Sequence, residues 1–147
     1  MRKLGLDLGT KTCGIAISDE MCIIATGLEN FHYDEGNFPA LLDRIQYWLE
    51  EYQNKVDTIV LGYPTNAYDG SMNPRSYLVL DFKELLIKRF PELSVQLYDE
   101  RFTTRIATNY LKEYNVKNSQ RKKVKDKMSA VVILTDYITA NKYQHFN

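Results

Sequence analysis

Leu4-Gly-Leu-Asp-Leu-Gly-Thr-Lys-Thr-Cys-Gly-Ile-Ala-Ile-Ser18 is the stretch that decides the fold. Leu4, Leu6 and Leu8 alternate with Gly5, Asp7 and Gly9, and after a turn Cys13, Ile15 and Ile17 alternate with Gly14, Ala16 and Ser18. A period of two is that of a β-strand, so the segment predicts two strands joined by a turn at Gly9-Thr-Lys-Thr12. Its two faces differ. One carries branched apolar side chains, and the other carries Gly5, Asp7, Gly14 and Ala16, small enough for a helix to approach the backbone.

Outward from this hairpin, Asp19-Glu-Met21 reads as a second turn and Cys22 to Gly27 as a third strand, which completes an antiparallel meander. Asn37-Phe-Pro39 offers a helix cap and an early helical proline. Phe38, Leu41, Leu42, Ile45, Trp48, Leu49 and Tyr52 then repeat at i, i+3, i+4, i+7. Thr58-Ile-Val-Leu-Gly62 is a continuous apolar run of the kind found in a strand covered on both faces. A polar loop, Tyr63 to Pro74, precedes a helix from Arg75 to Phe90, which Pro91 ends because the residue before proline avoids helical dihedrals. Ser94 to Tyr98 alternates again. Thr103 and Thr104 suit the cap of a helix carrying Ile106, Ala107, Tyr110, Leu111 and Tyr114, and a last helix spans about 126–141. The order predicts one α/β domain over residues 1–147, with a five-stranded mixed sheet, a three-strand meander followed by parallel strands, and helices on both faces.

Composition agrees with a globular chain: 147 residues, 17.2 kDa, 44% hydrophobic and 26% charged. The longest apolar stretch, Ala130 to Leu134, is far below the roughly 18–20 residues of a membrane helix, and Asp7 interrupts the N-terminus before a signal peptide's apolar core can form. A cytoplasmic protein with no membrane partner is therefore expected. Cys13 and Cys22 lack the paired spacing of a zinc site and read as buried, reduced thiols. With only His32 and His145, histidine-based nucleophilic catalysis has no support.

Net charge is zero, yet the two parts of the chain differ. Residues 1–100 hold 9 Lys/Arg against 16 Asp/Glu, and residues 101–147 hold 10 against 3. The densest basic stretch, Lys117 to Lys127, includes Arg121, Lys122, Lys123 and Lys125, a cluster suited to a phosphate backbone, although such runs are also common in solvated loops.

Three carboxylates occupy special places: Asp7 within the first strand, Glu100 just beyond Ser94–Tyr98, and Asp126 at the start of the last helix. If that helix packs on the small-residue face, the three acids converge. Mutual repulsion would raise their pKa values unless a cation sat between them, and all-oxygen ligands favour Mg²⁺ or Mn²⁺. Two such ions can stabilise attacking and leaving oxygens in phosphodiester hydrolysis. The alternative is that Asp7 and Asp126 bond turns or cap a helix.

Leu4 to Asp19, Gly62-Tyr-Pro-Thr-Asn-Ala-Tyr-Asp-Gly-Ser71, Asp99-Glu-Arg-Phe-Thr-Thr104 and Asp126-Lys-Met-Ser-Ala130 resemble, in order, the four motifs of the YqgF/RuvX family of ribonuclease H-like proteins. The resemblance implies a metal-dependent nuclease that matures the 5′ end of 16S rRNA from its precursor, or a Holliday junction resolvase acting on branched DNA. It makes Asp7, Glu100 and Asp126 the catalytic, metal-binding acids. A non-catalytic nucleic-acid-binding module acting in ribosome assembly is a third reading. Precursor rRNA, branched DNA or a pre-ribosomal particle would be the partner, and the chain would act as a monomer or a homodimer.

By position, Lys11 and Thr12 on the first turn, Asn66, Ser71 and Arg75 in or beside the loop after the fourth strand, Arg101 beside Glu100, and Arg121, Lys122, Lys123 and Lys125 are candidate nucleic-acid contacts. The family usually carries Arg where this chain has Thr12, which leaves Lys11 as the substitute charge. Asp7-x-Gly-Thr also resembles the phosphate loop of actin-like ATPases and sugar kinases. Those enzymes close two such domains over a nucleotide, and 147 residues are expected to supply one.

Overall fold

The computed structural model of the chain describes residues 1–64, 72–99 and 128–140. Five strands, β1 (Arg2–Leu8), β2 (Thr12–Ser18), β3 (Ala25–His32), β4 (Val56–Tyr63) and β5 (Ser94–Asp99), form one sheet in the order β3-β2-β1-β4-β5. β1 pairs antiparallel with β2 and parallel with β4, and β4 pairs parallel with β5. The meander and the crossover strands thus meet at β1, the middle strand. The sheet is the expected mixed α/β arrangement.

Strand alternation divides the core in two. Leu4, Leu6, Leu8 and Ile15 point to one face, where they pack with Leu41, Ile45, Phe82 and Leu86 of helices α1 (Phe38–Glu51) and α2 (Pro74–Arg89). On the other face Ala16 and Val60 pack with Ala130, Ile133, Leu134 and Ile138 of the helical segment 128–140. Helices therefore cover both faces, as the patterning predicts.

Local chemistry sets the helix starts. The Asn37 side chain accepts from the Ala40 amide, with Pro39 in the first turn of α1. At α2, Asn73 Oδ1 accepts from the Ser76 amide at 3.1 Å while Ser76 Oγ accepts from the Asn73 amide at 3.0 Å, a reciprocal cap, and Pro74 opens the helix. Ser76 Oγ also donates to the Pro64 carbonyl, so the start of α2 is fastened to the chain leaving β4.

Two expectations need correction. The third strand is Ala25–His32 rather than Cys22 to Gly27. Asp19 Oδ1 accepts from the amides of Ile23 and Ile24 at 2.7 and 3.0 Å, which holds those residues in a loop with Ile24 63% exposed. The strand lies instead along polar residues that an edge position tolerates. Of the two thiols Cys13 is buried as expected, but Cys22 is only half-buried, at a positive φ of 55° in that same loop. Among the described residues no helix is long and apolar enough to cross a membrane. The helix expected after Thr103 and Thr104 and the basic stretch 117–127 lie outside the described residues.

Candidate active site

Asp7 is the penultimate residue of the central strand, opposite Gly14 on β2. Its face of the sheet continues through Gly5, which pairs with Ala16 and with Val60. Small residues there bring the covering helix very close: a Cβ built on Gly5 would lie 2.9 Å from Leu134 Cβ and 3.2 Å from the Ala130 carbonyl oxygen. Glycine is the residue that fits. Further along the sheet Tyr98 meets Tyr137 edge to face, ring centroids 6.4 Å apart. Burial raises the pKa of the Asp136 carboxyl on the same helical segment. Burial likewise raises that of the Tyr98 hydroxyl, with the charges of Asp136 and Asp99 adding to the effect.

The Asp7 side chain is 19% exposed and carries an ion pair with Arg75, whose Nη2 stands 3.4 Å from Asp7 Oδ1. The same Nη2 donates to the Leu8 carbonyl at 2.9 Å. Arg75 reaches this point from the first turn of α2, between the two residues of the reciprocal cap. The guanidinium thus bridges the carboxylate and the backbone at the C-terminal end of β1.

The turn beyond Asp7 is held by residues on both sides. Gly9 N donates to the Thr12 carbonyl at 2.7 Å, and Tyr33 N donates to the Lys11 carbonyl at 3.0 Å. Tyr33 Oη donates to the Gly9 carbonyl. Tyr33 is 8% exposed, and burial, reinforced by Cys13 and Glu35, pushes its hydroxyl pKa up to about 12. Below the turn, burial and then the negative charge of Asp7 push the Cys13 thiol well above its ordinary value. Such a shift favours the protonated thiol.

Of the residues singled out in the sequence, Asp7 and Arg75 come together, while Lys11, exposed, lies on the adjoining turn and Thr12, half-buried, opens β2. Asn66, Ser71, Glu100, Arg101, Arg121, Lys122, Lys123, Lys125 and Asp126 lie outside the described residues. Sequence reasoning missed Tyr33, which stands one residue after β3 and carries no motif. Asp7 supplies a hard oxygen donor of the kind Mg²⁺ and Mn²⁺ take, at a strand end that opens to solvent. Among the described residues no three His, Cys, Asp or Glu side chains group as a metal site, so any fuller ligand set draws on residues beyond them.

A carboxylate at the end of the middle strand of a 3-2-1-4-5 mixed sheet, with helices on both faces, defines a ribonuclease H-like protein. The family model RuvX, Holliday junction resolvase, matches residues 1–140, and the chain belongs to that family. A relative from Ureaplasma parvum serovar 3 is 55% identical over 150 residues, covering 100% of each chain, and one from Geobacillus sp. strain WCH70 is 44% identical over 142 residues, covering 97% of this chain and 100% of that one. Both are named as candidate pre-16S rRNA nucleases. Among solved structures, Thermus thermophilus RuvC in complex with a Holliday junction substrate superposes with a TM-score of 0.59 at 14% identity, covering 97% of this chain and 96% of that one. The fowlpox virus Holliday junction resolvase does so with 0.53 at 16%, covering 95% and 99%. At these identities the likeness is one of fold.

Proposed function

We propose that the chain is one cytoplasmic nuclease domain, residues 1–147, that cleaves phosphodiester bonds with divalent metal and matures the 5′ end of 16S rRNA from its precursor. The observation that carries this reading is Asp7, a partly exposed carboxylate at the C-terminal end of the central strand, on a face that Gly5 opens to a closely packed helix. The names of the full-length relatives from Ureaplasma and Geobacillus supply the substrate class.

In this reading Glu100 and Asp126 join Asp7 as metal-holding catalytic acids. Val60 pairs with Gly5 and with Gln96, so Gly5, Asp7, Val60, Gln96 and Tyr98 share a face. Glu100 directly follows Asp99, the last residue of β5, in the sequence. Asp126 stands two residues before the helical segment that packs over Gly5. β4 separates β5 from β1, so the end of β5 stands two strands from Asp7, and the acids would approach from different elements. Bound Mg²⁺ or Mn²⁺, as two ions, would stabilise charge on the attacking and leaving oxygens.

The chain's own contributions are orientation and charge. Tyr33 fixes the turn that carries Lys11 and Thr12, so these can meet the substrate backbone beside Asp7. Asn66, Ser71 and Arg101 are read as further backbone contacts. Arg121, Lys122, Lys123 and Lys125 supply a clamp whose strength falls with salt. A pre-ribosomal particle is the natural setting for such a substrate.

The description of the family model favours a second reading, resolution of Holliday junctions, which would need two active sites and hence a homodimer. A side-by-side assay of a 16S precursor fragment and a four-way DNA junction, each with Mg²⁺ or EDTA, separates the two. Metal-dependent cutting confined to the RNA supports rRNA maturation. Paired symmetric cuts confined to the junction establish the resolvase, and metal-independent binding without cutting of either, on naked or particle-bound RNA, would leave a non-catalytic assembly module.

A further inference from the structure

Two of the contacts of Arg75 are unequal. Its Nη2 makes a normal hydrogen bond of 2.9 Å to the Leu8 carbonyl and a looser one of 3.4 Å to Asp7 Oδ1. The side chain is 46% exposed against 19% for Asp7, so the pair stands at the mouth of the site rather than in the core. Its backbone, by contrast, is firmly placed. Pro74 and the Asn73–Ser76 cap fix the first turn of α2, and Ser76 ties that turn to Pro64 at the end of β4. A guanidinium anchored on a backbone carbonyl keeps that anchor when the carboxylate beside it takes another partner.

We propose that Arg75 is the resident cation of this site: it holds Asp7 in the metal-free protein, yields the carboxylate when a divalent cation binds, and turns to a phosphate of the substrate. The proposal rests on the reading that Asp7 binds metal. Its physical basis is competition. A carboxylate already satisfied by a guanidinium attracts a second cation less, and the two positive charges repel each other across a few ångströms. Displacement is easy because a pair at 3.4 Å whose guanidinium is 46% exposed is worth little in water. A divalent ion carries twice the charge, so it takes precedence at the oxygen. The planar fork of arginine, with five N–H donors, lets one edge stay on the Leu8 carbonyl while another meets a phosphate oxygen. Arg75 is thus a positioning residue for Asp7 before metal binds and a substrate contact afterwards.

The test is Mn²⁺ binding to the full chain at fixed ionic strength, read by electron paramagnetic resonance of the unbound ion, for wild type, Arg75→Gln, Arg75→Lys and Asp7→Asn. Removal of the charge in Arg75→Gln should tighten Mn²⁺ binding about fivefold, and Arg75→Lys should stay within about twofold of wild type. Unchanged or weaker binding in Arg75→Gln overturns the proposal. Asp7→Asn separates this failure from that of the underlying reading: if it binds Mn²⁺ as wild type does, Asp7 is not a metal ligand and both ideas fall. The handover has its own readout. Ca²⁺ should raise the affinity of wild type for a single-stranded RNA oligonucleotide over that in EDTA, and this rise should shrink about fivefold in Arg75→Gln. An equal rise in both proteins shows that Arg75 does not pass to the phosphate.

Discussion

Gly5 and Leu134 touch across the sheet-to-helix interface with no space for a methyl group between them: a Cβ on Gly5 would stand 2.9 Å from Leu134 Cβ. This contact sets the height of the helical segment 128–140 above the strand that carries Asp7. Replacing Gly5 by Ala forces the segment outward or bends β1, and such overpacking costs about 1–3 kcal/mol. The expected result is a lower midpoint in chemical denaturation together with reduced cleavage. A variant as stable and active as wild type would show that the interface gives way at no cost.

Tyr33→Phe removes the hydroxyl that donates to the Gly9 carbonyl. Loss of one hydrogen bond to a partly buried carbonyl should destabilise the protein by about 1 kcal/mol and loosen the turn bearing Lys11 and Thr12. Weaker substrate binding should accompany the loss of stability. Spectrophotometric titration adds an independent check: one tyrosine of wild type should ionise near pH 12, and that component should vanish in the variant.

The pH dependence of stability should carry the mark of Asp136. Burial raises its folded pKa above the unfolded value, so the folded state binds the proton more tightly. Below the unfolded pKa, about 3.9, both states are protonated and the group contributes nothing. As pH rises through that value and then the folded pKa, the folded state comes to bear a desolvated charge and loses stability relative to the unfolded one. Asp136→Asn should therefore stabilise the protein at pH 7 and be neutral at pH 3. Thermal denaturation at the two pH values reads the difference, and equal shifts at both would remove burial as the cause.

Neutralising Arg121, Lys122, Lys123 and Lys125 together should weaken RNA binding and reduce the slope of log affinity against log salt. If all four meet phosphates of a single strand, the slope falls by roughly 3. An unchanged slope would make the stretch an ordinary solvated loop.

Much of this was readable from the chain because the signals are periodic and local. The alternation from Leu4 to Ser18 separates a bulky face from a small one, and the close approach of Ala130 and Leu134 to Gly5 is the structural consequence. The stripe from Phe38 to Tyr52 and the cap at Asn37 likewise translate directly into α1. β3 was misplaced because an edge strand need not alternate: Thr26, Glu29, Asn30 and His32 are polar, whereas the apolar Ile23 and Ile24 sit in a loop pinned by Asp19. The sequence offers Arg75 only as a candidate nucleic-acid contact, and its pairing with Asp7 is not legible there. Asp7 and Arg75 are 68 residues apart in the chain, and their meeting depends on where α2 starts relative to the end of β1, which no local pattern encodes.

The central claim is that Asp7 serves phosphodiester cleavage, and single-turnover cleavage of a 16S precursor fragment by wild type and Asp7→Asn in Mg²⁺, with binding of the same RNA measured in parallel, tests it most directly. The account predicts a rate loss of about a thousandfold or more with binding kept within a few-fold. Cleavage by Asp7→Asn at near the wild-type rate would contradict it.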